Sequence, residues 1–311
     1  MRPRVSALLP ICNGMRWIQR SIINVESVLS DSDELIIVDN GSTDGTTEFL
    51  QSYRFKRATV LLFQEEKGLV DALNAGLSAA QNNWIARFDV DDLYEPHRLE
   101  NIFKSLRPST VAIFSDFDFV DVRGDSYGAF YNAVIDPAIK LSLPRSERNA
   151  HPSVVFRKKE VIDVGGYLKE DYPCEDLSLW LRLSKVGSFQ GSPLPLLHYS
   201  FLADSVSSQN REVIQAKKVK IVERYFDPTT VVYAYQELSE TLYQYSFESN
   251  GLARKLLHLR DFLHPVAWKS LCFLQKLKVV LLLLLYFSRP NSWKITFKLF
   301  KERQRRIQYR N

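Results

Sequence analysis

The sequence predicts an α/β domain, a mostly parallel sheet flanked by helices, with a helical basic appendage at its C-terminal end. Three observations carry that prediction. Short apolar runs, β-branched or aromatic, recur along the first 120 residues, and most end in polar residues. Segments with helical spacing separate them, and strand–helix alternation is the pattern of a parallel sheet between helical layers. The charge is also split. Residues 251–311 hold 14 Lys and Arg against 2 Asp and Glu, whereas the other 250 residues hold 27 against 34.

The elements follow in order. VSALLP (5–10) reads as the first strand; its apolar run is too short for a signal-peptide core. Helical spacing over 15–30 leads to a second strand, ELIIVDN (34–40). Ser42 and Thr43, ahead of Asp44 and Thr46, suit the start of a helix over 43–53. TVLLF (59–63) is a third strand, followed by a helix over 69–81 and a fourth strand, WIARFD (84–89). Pro96 suits the first turn of a helix over 96–106, and VAIFSD (111–116) is a fifth strand. Further on, YPCEDLSLWLRLSKVG (172–187) carries Leu177, Leu179, Trp180, Leu181 and Leu183 on a helix packed against the body. The division expected is 1–210 for the α/β domain and 211–311 for the appendage, within a length of 311 residues. Cys12, Cys174 and Cys272 lie far apart with no CxxC pairing, which argues against a disulfide framework or a zinc site and suits a reducing compartment.

In parallel sheets ligands bind beyond the carboxyl ends of the strands. The polar clusters fall there: Pro10 to Gly14, Asp39 to Asp44, and Asp89 to Asp92. Asp39 can accept hydrogen bonds from a base or a ribose, and the turn Asn40-Gly41-Ser42 exposes backbone N–H groups; a capped loop is the plainer alternative. Lys67-Gly68, before a helix carrying Asn74, can meet a phosphate. In DVDD, Asp89 and Asp91 can be brought to one hard cation, Mg²⁺ or Mn²⁺, with phosphates completing the coordination. The alternative is a turn in which Asp91 or Asp92 caps the next helix. Glu175 and Asp176 open a helix whose dipole favours ionised carboxylate, which suits Asp176 to general-base work or simply to capping.

The order PICNG, IIVDNGSTDGT, EKGLVDALNAG, ARFDVDD, HPSVVFRKKEVIDVGGY, CEDLSLWLRLSKVG resembles family 2 glycosyltransferases of the Rossmann-like GT-A fold, over roughly residues 3 to 205. The resemblance implies roles. Asp39 would contact the uracil, or another pyrimidine, of a nucleotide-sugar, with Pro10 and Asn13 in the same base pocket and Asn40 and Ser42 in the adjoining turn. Lys67, Gly68 and Asn74 would join the nucleotide-sugar site. Asp89 would hold the ribose or neighbouring sugar, Asp91 the metal on the diphosphate, and Asp92 would lie close to the donor sugar. Asp176 would be the catalytic base, with Glu175 orienting the acceptor and Trp180 on the acceptor side; His151, which opens a strand leading to Val155, would line the acceptor side or be a structural histidine. Two departures stand out. Leu73 occupies a position where many relatives carry Arg, and LLHYSFLADSVS (196–207) matches only loosely the family's basic loop over the diphosphate, His198 being its nearest candidate.

The implied reaction is an inverting, metal-dependent transfer of a sugar from a nucleoside diphosphate, UDP first, to a hydroxyl of a glycan or lipid-linked acceptor in cell-surface polysaccharide synthesis. The alternatives are a non-catalytic nucleotide-sugar-binding subunit and a nucleotidyltransferase. Against the second, no G-x-G-x-R-like loop follows the first strand. The tail adds an expectation. KVVLLLLLYFS (278–288) falls short of the roughly 20 residues of a membrane-spanning helix. Trp293, Phe297 and Phe300, spaced among basic residues, suit a helix lying on an anionic membrane surface. The protein is therefore expected in the cytoplasm, peripherally bound to the membrane. No nucleic-acid module accompanies the basic charge, so no nucleic-acid partner is expected.

Overall fold

A computed structural model describes residues 2–226, apart from 66, 67, 105, 122, 123, 131, 133–135, 146–148 and 201–210. Lys67 and the basic tail from 227 onward lie outside the described residues. The elements alternate in the predicted manner: β1 (Val5–Ile11), α1 (Ile18–Val28), β2 (Glu34–Asn40), α2 (Thr46–Ser52), β3 (Ala58–Gln64), α3 (Leu69–Ala79) and β4 (Trp84–Arg87). There follow β5 (Leu93–Tyr94), α4 (Arg98–Phe103), β6 (Thr110–Val120), β7 (Ser126–Phe130), α5 (Asp136–Ser142), β8 (Val154–Arg157), α6 (Lys158–Asp163), α7 (Glu175–Leu183), β9 (Ser188–Ser200) and α8 (Arg211–Tyr225).

One sheet runs in the order β3-β2-β1-β4-β8-β6-β9-β5, with β7 hairpinned onto β6. Its first four strands are all parallel. Beyond β4 the pairing is mixed: β8 runs antiparallel to β4 and β6, β9 runs parallel to β6, and β5 pairs antiparallel with β9. β1 and β2 are buried along their whole length, which is why they read as unbroken apolar runs rather than as alternation. α1 covers one face with Ile18, Ile22, Val25 and Val28, each contributing about 1.5–3 kcal/mol by burial. α3 covers the other, with Gly76 so close that a Cβ would fall 2.1 Å from Leu8 Cδ1. Leu73, the site of a departure from the family pattern, is fully buried in this layer.

Two helix starts differ from the sequence reading. α2 begins at Thr46 with Gly45 at its N-cap position; Asp44, one residue earlier, accepts at Oδ1 from Thr46 N (3.1 Å) and Oγ1 (2.6 Å), while Ser42 and Thr43 bond Asn13 in another loop. α4 begins at Arg98, after Pro96, and neither Asp91 nor Asp92 caps it. The helix α8, within the segment expected to start the appendage, docks on the body: Cys174 Sγ meets Ile214 O at 3.6 Å and Arg224 meets Asp171 at 3.4 Å. No helix among the described residues is long and apolar enough to cross a membrane.

Candidate active site

The chain winds outward from β1 to β3 and then returns to place β4 on the opposite side of β1. Loops leaving the carboxyl ends of β1, β2 and β4 part at that switch and open a crevice. Pro10, paired with Val38, and Asp39, paired with Ile11, lie at this end of the sheet.

The first wall is two loops stitched together. Asp39 is buried, and its carboxylate accepts from Ser42 N at 3.1 Å and Thr47 Oγ1 at 2.5 Å. Asn13, the one non-glycine with positive φ (53°) among the described residues, donates its N–H to Ser42 Oγ at 2.9 Å. Its Oδ1 accepts from Thr43 N at 2.8 Å. Asn is the side chain that tolerates this left-handed conformation with least strain. Asn40 turns away toward β3, where Gln64 Nε2 donates to its Oδ1 at 2.9 Å.

The second wall carries the aspartates. Asp89 is bonded through Oδ1 to Arg87 Nη2 at 2.6 Å, and its N–H donates to Tyr94 Oη at 2.7 Å. Asp92 is buried and accepts from Ser200 N at 2.7 Å. The Asp91 carbonyl accepts from Arg20 Nη2 (2.8 Å) and Ser200 Oγ (2.7 Å). No side chain donates to the Asp91 carboxylate among the described residues. The segment is therefore neither a helix cap nor a solvated turn: it closes into the two-residue strand β5 against β9.

The third element is the start of α7. Asp176 Oδ1 accepts from Leu177 N at 2.6 Å, and Glu175 is 6% exposed with its Oε2 unpartnered. The helix dipole does not settle these carboxyls; burial does. Burial pushes Asp176 up to about 6 despite its backbone bonds, and burial together with the Asp176 charge pushes Glu175 up to about 8. Burial and the Asp89 charge push Asp91 up to about 6. Asp92, buried beside Asp89 and Asp91, is held well above the ordinary carboxylate range. Tyr199 shows how close these groups are, because Asp92, Asp89, Asp91 and Asp176 all oppose its ionisation.

The residue missed in the sequence is Arg87. It is 2% exposed, donates to Phe88 O as well as to Asp89, and its charge bears on Asp91, Asp92, Glu175 and Asp176. Its signal was present: in ARFDVDD it stands two residues before Asp89, on the same face of an extended chain. Arg98, also buried, donates to the carbonyls of Arg87 (3.1 Å) and Pro152 (2.8 Å) and so ties the end of β4 to the approach to β8.

Other expected site residues are structural here. The Asn74 amide is used twice by Tyr167, donating to its carbonyl at 2.8 Å and accepting from its N–H at 3.0 Å, so it clamps α3 to the Gly165-Gly166-Tyr167 turn. Gly166 has φ +65°, and a Cβ there would meet Asn74 Oδ1 at 2.8 Å. His151 is buried, bonded to Tyr167 Oη at 2.8 Å and held neutral by burial and by Arg87. Trp180 is 1% exposed, edge-on to Phe114, so it packs beneath the crevice rather than lining it. Gly68 precedes α3 at φ +95° with open space where a Cβ would be, which keeps its backbone N–H approachable. His198, beside the aspartates on β9, is engaged with Glu95 at 2.9 Å.

Among the described residues no group of three His, Cys, Asp or Glu side chains is arranged to hold a metal unaided. The charge balance still fits a divalent cation. Asp91, Asp92, Glu175 and Asp176 are shifted toward their neutral forms, and the buried Arg87 stands among them. Asp91 offers one hard oxygen donor that no protein cation has taken, which is the ligand count of a cation shared with a diphosphate.

Comparison with known proteins agrees with this geometry. EpsE of Bacillus subtilis (strain 168), which bears the name of a glycosyltransferase, is 31% identical over 225 residues, covering 67% of this chain and 76% of its own. TuaG of the same organism, named for teichuronic acid biosynthesis, is 28% identical over 234 residues, covering 72% and 88%. The mannosyltransferase PcManGT of Pyrobaculum calidifontis, solved with GDP-Man and Mn²⁺, shares the fold with a TM-score of 0.56 at 16% identity, covering 96% of this chain and 85% of its own. The sequence pattern described as Glycosyl transferase family 2 matches residues 6–165, so this chain belongs to glycosyltransferase family 2 and is a glycosyl-transfer enzyme of the GT-A fold.

Proposed function

We propose that the protein is an inverting, metal-dependent transferase that moves a sugar from a nucleoside diphosphate, UDP in the first instance, to a hydroxyl of a glycan or lipid-linked acceptor. The observation that carries this reading is the convergence of Asp89, Asp91 and Asp92 with Asp176 in one crevice, two separate carboxylate sets 84 positions apart in the chain (Asp92 to Asp176). The acidic segment faces the donor, and Asp176 faces the acceptor.

The residues divide the work. Asp39, Asn13, Pro10 and Ser42 form the base pocket, and the exposed N–H of the turn at Gly68 meets phosphate. Asp91 would hold Mg²⁺ or Mn²⁺, which when bound neutralises negative charge on the diphosphate. Asp92 lies toward the donor sugar and Asp89 toward the ribose, held by Arg87. Asp176, mostly ionised at neutral pH, takes the proton of the acceptor hydroxyl as its oxygen attacks the anomeric carbon from the face opposite the diphosphate. One displacement inverts that carbon, and the departing nucleoside diphosphate needs no proton, so one base suffices. Glu175, neutral at the same pH, can donate a hydrogen bond to the acceptor without competing for its proton.

Cell-surface polysaccharide synthesis is the setting we propose, with support from the name of TuaG, a teichuronic acid biosynthesis glycosyltransferase. The basic, apolar tail supports a cytoplasmic location with peripheral binding to anionic membrane. The test is a donor screen: full-length protein with Mn²⁺ and UDP-, GDP-, dTDP- and CMP-sugars, following free nucleotide, with Asp91→Asn and Asp176→Asn alongside. Metal-dependent release from one donor, lost in both variants, is the expected result. Donor binding without turnover, even with membrane extract supplying acceptors, points to a non-catalytic subunit and overturns the reading.

A further inference from the structure

We propose that helix α1 positions the metal-facing aspartate: Arg20 and Asn24, one turn apart, grip the backbone of Asp91 and Tyr94 and fix where the Asp91 carboxylate stands. This rests on the reading of Asp91 as the metal ligand.

The bonds form a closed set. Asn24 Nδ2 donates to Tyr94 O at 2.9 Å, and Tyr94 N donates to Asn24 Oδ1 at 2.8 Å. That amide stands in for a neighbouring strand. β5 is only two residues long and pairs with β9 along one edge, Leu93 with His198 and Tyr94 with Leu197. Within an extended chain the N–H and C=O of one residue point to the same side, so Tyr94 would face an empty edge without Asn24. Arg20 Nη2 donates to Asp91 O at 2.8 Å, and Ser200 Oγ donates to the same carbonyl at 2.7 Å, so both of its lone pairs are used. Tyr94 returns the hold to the start of the segment through its Oη, which accepts from Asp89 N at 2.7 Å.

The chemistry needs such a hold. Asp89, Asp91 and Asp92 repel one another, and burial makes that repulsion stronger than in water. A segment free to relax would spread its carboxylates or turn one outward. The bonds from α1 and Ser200 oppose that at the backbone and leave the Asp91 carboxylate unspent. Groups one step removed from a metal ligand typically change metal affinity 10–100-fold when lost. Sequence spacing supports the division of labour: Arg20 and Asn24 are i, i+4 and share one helix face.

Both residues line a shallow depression of about 570 Å³ on the outer face of α1, beside Gln19 and Ile23. Truncating them therefore opens space to water and creates no void in the core. This makes them suitable test positions.

The experiment is a Mn²⁺ titration of the full chain by electron paramagnetic resonance, with UDP and, in parallel, GDP present. Wild type, Asn24→Ala, Arg20→Met, Arg20→Lys and Gln19→Ala are compared, with Tm measured for each. The expected result is a 10–100-fold weaker Mn²⁺ affinity in Asn24→Ala and Arg20→Met, partial recovery in Arg20→Lys, whose ammonium can still reach a carbonyl, and no change in Gln19→Ala. If Asn24→Ala does not fold, Arg20→Met and Arg20→Lys carry the comparison. Wild-type affinity in folded Asn24→Ala and Arg20→Met overturns the positioning role alone. Absence of Mn²⁺ binding by wild type overturns the metal reading and this proposal with it.

Discussion

Asp176 should place the acidic limb of the pH–activity profile near pH 6. An unperturbed aspartate titrates near 3.9, but burial raises Asp176 to about 6 against the backbone bond from Leu177 and the charges of Lys218 and Arg87. A base must be ionised to act, so activity rises with pH through that value and levels off above it. A group titrating near 6 is roughly 90% ionised at pH 7 and roughly 10% at pH 5, a fall of roughly ninefold; an unperturbed aspartate would lose less than about a tenth over the same span. The assay is nucleotide release at saturating Mn²⁺ and donor between pH 4.5 and 8. Glu175→Gln is the companion variant. Burial and the Asp176 charge keep Glu175 protonated below about pH 8, so glutamine copies its working state and the limb should stay in place. A profile flat from pH 7 down to pH 5 would refute the assignment of the half-buried Asp176 as the base. A limb that drops by a unit or more in Glu175→Gln would refute the neutral state of its neighbour.

Three further outcomes are expected. In metal-free buffer, Tm should fall as pH rises: Asp91, Asp176 and Glu175 are raised above their unfolded values, so their contribution is complete below about pH 4 and is lost through about 6, 6 and 8 respectively. Mn²⁺ should recover more of that loss at pH 8 than at pH 5, and equal recovery at both would sink the charge-balance argument. Asn74→Ala should cost about 1–3 kcal/mol through its two lost bonds while leaving UDP affinity within about twofold; a tenfold weaker UDP with unchanged Tm would return Asn74 to the donor site. Full-length protein should sediment with anionic vesicles and a chain ending near residue 250 should not, the effect shrinking with salt.

The sheet half that carries the site was legible because its signals are local. β1 and β2 are seven-residue strands buried along their whole length, and the polar clusters begin where their apolar stretches, 7–9 and 35–38, end. Helix starts were less legible. Asp44 and Ser42 are both good caps by type, yet Gly45 holds the N-cap position; Asp44 bonds Thr46 from one residue earlier, and Asn13 takes up Ser42 and Thr43 from a different loop. The antiparallel half was read only as a strand at 111–116 and one leading from His151 to Val155; β8 and β9 owe their pairing to strands distant in the chain, whereas β7 closes a short hairpin onto β6. Asn74 and Trp180, expected at the site, make contacts that only packing shows: Asn74 with the Tyr167 backbone and Trp180 with Phe114.

The family and the order of strands and helices through β4 could be read from residue type at short spacing, as could the candidate carboxylates. Tertiary structure alone decided their states. Whether Asp176 is ionised, whether Glu175 is neutral and whether Asp91 is left open for a cation depend on burial and on charges brought in from α1, β4, α7 and α8. Electrostatic energy scales with distance in space and with exclusion of water, and neither is written in the spacing of residues along a chain.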